Sequence, residues 1–131
     1  MTDFLELANR YFPYILRGAV ITLELTLVAL AGSIAIGLVV AFARMSPARW
    51  LRAPAIVYIE IIRATPALLQ LFIIYFGLTS FGVRLDPFTA AALTLSVIGG
   101  AYAAEVFRAG IEAVDKGQYE AARSLGMPAP L

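Results

Sequence analysis

The chain has 131 residues, 61% of them hydrophobic and 15% charged, with a formal charge of +1 and a mean hydropathy of +0.84. Soluble domains are about 45–50% apolar and about 25% charged, and a sphere this small could not hide the surplus apolar surface from water. The near-neutral charge offers no basic face to nucleic acid, and the absence of cysteine and histidine removes disulfides, thiolate chemistry and the usual metal ligand. No catalytic or metal-binding constellation is expected, and the chain is not read as an enzyme.

Residues 1–15 lack the basic leader and small-residue cleavage pattern of a signal peptide. Phe4, Leu7, Tyr11 and Ile15 recur at helical spacing among Asp3, Glu6 and Arg10, which predicts a short interfacial helix at the headgroup level. From residue 16 onward the chain reads as a membrane domain. A spanning helix needs about 20 residues to cross about 30 Å of hydrocarbon, and three windows are long enough, at about 18–43, 64–81 and 87–106. Their placement keeps Glu24, Glu60, Arg63 and Glu105 near the ends of the spans, since a charge at mid-bilayer costs about 2.5–3.5 kcal/mol on the insertion scale.

The loop after the first span holds Arg44, Arg49 and Arg52 and no acid, whereas the loop after the second holds only Arg84. The first loop is therefore expected on the cytoplasmic side, the N-terminus outside, and the segment beyond the third span in the cytoplasm. Within the second apolar stretch, Thr65 is expected as an N-cap and Pro66 as a first helical residue, so that a separate helix over 54–63 precedes the span. Glycines at 32, 37, 99 and 100 suit close helix packing in lipid. The glutamates of Glu60–Arg63 and Glu105–Arg108 stand three residues before their arginines, so each pair can neutralise itself; otherwise Arg63 or Glu105 faces a watery path, with Gln70 and Tyr102 beside it.

The polar segment after the third span keeps helical spacing up to Gly117 and resumes over Gln118–Leu125. Gly126 then supplies a left-handed cap. The second helix carries Ala121, Ala122 and Leu125 on one side and Glu120 and Arg123 on the other, which suits a docking element.

Gly117-Gln-Tyr-Glu-Ala-Ala-Arg-Ser-Leu-Gly126 resembles the EAA loop of permease subunits from binding-protein-dependent ATP-binding-cassette importers. Arg63-Ala-Thr-Pro-Ala-Leu-Leu-Gln-Leu-Phe-Ile-Ile-Tyr-Phe-Gly77 and Ala101-Tyr-Ala-Ala-Glu-Val-Phe-Arg-Ala-Gly-Ile111 are similar to two signatures of the polar amino acid branch, the histidine, glutamine and arginine type. The Gly-Ala-x-x-Thr-Leu-x-Leu-Thr-Leu pattern of 18–27 fits the same branch. Family members commonly read Arg-Gly-Thr-Pro where Arg63-Ala64-Thr65-Pro66 stands.

The resemblance implies an all-α, polytopic helical bundle of the type I importer class, with three spans and a cytoplasmic EAA coupling loop over 107–131. It implies a multi-pass protein of the bacterial inner membrane whose Gly117, Gln118, Glu120, Ala121, Ala122 and Gly126 engage a cytoplasmic ATP-binding subunit. The other partners implied are a second permease half, identical or homologous, an extracytoplasmic substrate-binding protein, the lipid bilayer and an amino acid substrate. Arg63, Gln70, Tyr102 and Glu105 are the candidates for the substrate path. No phosphate-binding Gly-x-x-x-x-Gly-Lys-Ser/Thr run occurs, so ATP and magnesium are expected on the partner, and no cofactor on this chain. Because members of the branch have five spans with the EAA loop between the third and fourth, the chain is expected to be the N-terminal portion of a permease. Two other functional classes stay open: an ion-coupled secondary transporter with Glu60 and Glu105 as proton relays, and a non-transporting membrane scaffold.

Overall fold

The computed structural model describes residues 2–127, and every regular element among them is helical. In chain order these are α1 (Thr2–Met45), α2 (Arg49–Ala64), α3 (Ala67–Phe72), a π-helical turn (Ile73–Gly77), α4 (Leu78–Ser80), α5 (Pro87–Glu112) and α6 (Lys116–Ser124). Two helices are long and apolar enough to cross a membrane, within α1 and as α5, and a third crossing is possible if α2 and the 67–80 rod count as one span bent by 108°.

The expected interfacial segment is not a separate element, because α1 runs unbroken through it and carries Pro13 inside the helix. At 1.5 Å per residue this 44-residue helix is about 66 Å long, about twice the hydrocarbon thickness. Its N-terminal part extends the span rather than folding away from it. Similarly, α2 starts at Arg49 and encloses Pro54, five residues before the expected start.

The α1–α5 interface organises the molecule. The two helices run in the same direction, since Ser96 Oγ reaches the carbonyl of Ala29 (3.5 Å) while Arg44 and Glu105 pair near the far end. Ala29, Ser33, Gly37 and Ala41 form a buried stripe at four-residue spacing on α1, facing the matching stripe Ala92, Ser96, Gly100 and Ala104 on α5. A Cβ on Gly37 would lie 2.6 Å from that of Ala103, and one on Gly100 would lie 2.8 Å from the Cβ of Ile36. The expected close packing at these glycines is thus present, and it lets the two backbones approach.

Large side chains face outward instead: Leu23, Leu27, Val39 and Phe42 are all more than 60% exposed, whereas among the described residues seven of the eight buried hydrophobic ones are alanines. Ile59 of α2 is the exception. It inserts between Ala41 and Ala104, flanked by Val40, Tyr58 and Phe107, and Tyr58 Oη donates to the carbonyl of Val97 at 2.5 Å. α2 is thereby fixed across the lower part of the α1–α5 seam.

Asp86 starts α5. Its carboxylate accepts from Thr89 Oγ1 (2.5 Å) and from the N–H groups of Phe88 and Thr89 (both 3.1 Å), with Pro87 as the first helical residue. The Thr89 hydroxyl, then the Thr89 N–H, hold this carboxyl below its ordinary value.

Two expectations follow from this packing. Gly37→Val should lower the unfolding midpoint of the protein in detergent, by an overpacking cost of about 1–3 kcal/mol. Gly18→Ala is the neutral control, because no atom lies within 4 Å of its added methyl group. Since the folded-state pKa of Asp86 is depressed, its contribution to stability is complete above the ordinary aspartate range and is lost as pH falls through the lowered value. A pH titration of the midpoint should therefore show an acid-side loss that Asp86→Asn reduces.

Candidate functional site

α6 stands apart from the bundle, and no other described element packs against it. Its start is Asp115, whose carboxylate accepts from the Gly117 N–H at 2.7 Å. The break between the two helices of this segment therefore lies at 113–115, not at Gly117, which belongs to α6 itself. The reason is that Asp115 supplies a side-chain acceptor for the free N–H groups of a first turn, which glycine cannot do.

At the other end Gly126 takes φ +78°, the left-handed cap its position predicts. The Met127 N–H donates to Ala122 O (3.1 Å) and the Gly126 N–H to Arg123 O (3.0 Å), the two bonds of a Schellman ending. Glu120, Ala121 and Leu125 are exposed, and Val114, Gln118, Tyr119 and Ala122 line a shallow hollow. The result is a short helix closed at both ends, with most of its surface uncovered.

The second candidate region is the bend between α2 and α3. Thr65 has ψ 139° and ends α2, and its hydroxyl turns back to the carbonyl of Ile61. It is not the N-cap of the next helix: Pro66 occupies that position, without a side-chain cap. The carbonyls freed by the break are taken up by Gln70, which is 8% exposed and whose Nε2 donates to Ile62 O (2.9 Å) and Thr65 O (3.0 Å).

Gln70 therefore fastens the bend rather than lining a path, since its amide N–H groups are committed to backbone. Beside the bend, Glu60, Arg63, Ala64 and Tyr102 surround an open hollow of about 330 Å³. The Arg63 guanidinium lies over the Tyr102 ring at 5.2 Å from its centre, a cation–π contact worth about 0.5–1 kcal/mol when exposed. Arg63 thus turns to α5 instead of pairing with Glu60 along its own helix.

Glu105 is not in that hollow. One carboxylate oxygen pairs with Arg44 of α1, and the other accepts from Arg108 Nη2 at 3.0 Å and Nε at 3.3 Å. Arg108 continues to Glu112, so the four charges form a chain. The expected Glu105–Arg108 pair is present, but its cross-helix partner Arg44 was not foreseen. The only sequence signal for it is that Arg44 closes the first span as Glu105 closes the third.

Residues 33–130 match the family of binding-protein-dependent transport system inner membrane components. The chain belongs to this family. It is 43% identical over 122 residues to the probable amino-acid ABC transporter permease protein YckA of Bacillus subtilis (strain 168), covering 93% of this chain and 54% of that protein. It is 41% identical over 127 residues to the putative glutamine transport system permease protein GlnP of Rickettsia conorii (strain ATCC VR-613 / Malish 7), covering 94% of this chain and 58% of that one. In a crystal structure of an amino acid ABC transporter with histidines, one chain superposes with a TM-score of 0.87 at 45% identity, over 98% of this chain and 60% of its own length. The chain thus spans between half and three fifths of the length of these relatives.

As a member of this family the chain is a multi-pass inner membrane protein, and its helical membrane fold is shared with a chain of an amino acid ABC transporter. Within it, Gln70 should act on the bend: Gln70→Leu leaves the Ile62 and Thr65 carbonyls without a donor, at a cost of about 1–3 kcal/mol. Proteolysis at 64–66 in detergent should accelerate in this variant, while Gln70→Asn should restore protection only in part, its amide being one methylene short.

Proposed function

We propose that the chain forms part of a membrane permease in a binding-protein-dependent, ATP-driven importer of polar amino acids. It couples ATP hydrolysis on a partner subunit to movement of the substrate. The observation that carries this reading is α6, a short helix capped at both ends and held off the bundle on the continuation of α5. An element that packs on nothing in its own chain, yet is kept rigid by Asp115 and Gly126, suits insertion into a groove of another protein.

Gly117, Gln118, Glu120, Ala121, Ala122 and Gly126 are the contacts to a cytoplasmic ATP-binding subunit. ATP and magnesium sit on that subunit, and this chain binds no cofactor. A second permease half completes the path, and an external binding protein delivers the substrate. The amino acid class rests on the names of the relatives, which include glutamine and cystine permeases.

α1 starts outside and α6 lies in the cytoplasm. The parallel course of α1 and α5 supports this topology, because it puts α6 at the same end of the bundle as Arg44, Arg49 and Arg52. Along the path, Arg63 and Tyr102 are the residues placed to meet a zwitterion, with Arg63 directed to its carboxylate. A proton relay through Glu105 loses support, since both oxygens of its carboxylate are engaged by the guanidinium groups of Arg44 and Arg108.

In the assembled transporter, Gly126→Val forces a left-handed φ on a branched residue, at a cost of about 1–2 kcal/mol, and Glu120→Ala removes a polar contact. Both should reduce uptake by about 5-fold or more, the lower end of ordinary inter-site coupling, with membrane insertion unchanged. A single cysteine at position 120 should react with an impermeant reagent only in inside-out vesicles. Normal uptake in both variants, or labelling from the outer side of intact cells, would overturn the docking role of α6.

A further inference from the structure

Resting on the transport reading above, we propose that Glu105 and Arg44 are positioning residues that lock the register of α1 against α5, so that motion imposed on α6 moves both helices together. α6 touches no other described element, so among the described residues force applied to it reaches the bundle through residues 113–115 and the last turns of α5. From there it must cross to α1. The seam between the two helices is built mainly of alanine, serine and glycine. Ile36, set against Gly100, is one of the few large side chains that reach across it, with Ile59 of α2 wedged at Ala41 and Ala104.

Such a surface lets backbones approach closely and opposes a slide or a rotation only weakly, because few side-chain atoms must climb over one another. The Arg44–Glu105 pair lies where the seam ends and the route to α6 begins, with both side chains about one-fifth exposed. It is the one ion pair between helices among the described residues. Arg108 bonds the second oxygen of Glu105 and is itself held by Glu112, which fixes the carboxylate in the rotamer that meets Arg44. A directional, charge-assisted contact at the end of a smooth seam sets the relative rotation of two helices in a way that small residues cannot.

These 131 residues contain no cysteine, so none has to be removed from them before labelling. With cysteines substituted at the exposed positions Phe42 and Val106 and labelled, the assembled transporter should give one narrow distance distribution. Glu105→Gln and Arg44→Gln should broaden it and cut the amino acid moved per ATP hydrolysed by about 5-fold or more. Arg44→Lys should recover much of both readouts, and Arg108→Gln, which keeps the cross-helix pair but frees the Glu105 carboxylate to turn, should give a loss smaller than that of Glu105→Gln in both.

An unchanged distribution in Glu105→Gln overturns the lock, whatever the chain transports. A broadened distribution with unaltered coupling overturns the transmission role. A wild-type assembly that hydrolyses ATP without moving any amino acid sinks the transport reading instead, and the distance measurement still decides on the lock.

Discussion

The structure depends on how two helices can associate where burial of apolar surface gives no driving force. Between lipid and protein there is little difference in polarity, so large side chains gain nothing by turning inward. α1 and α5 solve this with facing stripes of small residues at four-residue spacing, closed by hydroxyl bonds from Ser33 to the carbonyl of Leu95 and from Ser96 to the carbonyl of Ala29. Leucine and phenylalanine are left on the outer face. The parallel direction of the pair then determines which ends of the molecule share a side of the membrane.

Pro13 and Pro54 each remove one backbone bond but lie inside helices that continue past them, whereas the chain bends at Pro66. At Pro66 a substitute donor is available: Gln70 turns its amide to Ile62 O and Thr65 O, so the exposed carbonyls are satisfied in the bent form. In a bilayer, where water cannot replace a missing bond, that side chain makes a 108° bend tolerable. The bend in turn sets Arg63 against Tyr102 at the mouth of an open hollow.

The charged residues divide into two groups by geometry. Glu105 and Arg108 belong to a network with Arg44 and Glu112 that ties α1 to α5. Arg63 is outside that network, with an aromatic face as its neighbour and an acid, Glu60, on the rim of the same hollow. An arginine whose donors are not all committed is the better candidate to meet a substrate carboxylate. α6 is a third unit, joined to the others through the end of α5.

By itself the sequence determined the helical membrane class, the arginine-rich loop after the first span, the close-packing glycines and the capped helix ending at Gly126. Each of these is local, set by a run of apolar residues, a charge count or the backbone freedom of one residue. Only the tertiary structure decided the partners. That Arg44 meets Glu105, that Gln70 serves the bend and not the path, and that Arg63 leaves Glu60 for Tyr102 all depend on contacts between helices. Helical spacing reports which residues share a face, but the neighbour across the interface, often more than 60 positions away in the chain, is fixed by how the helices cross and in which direction they run.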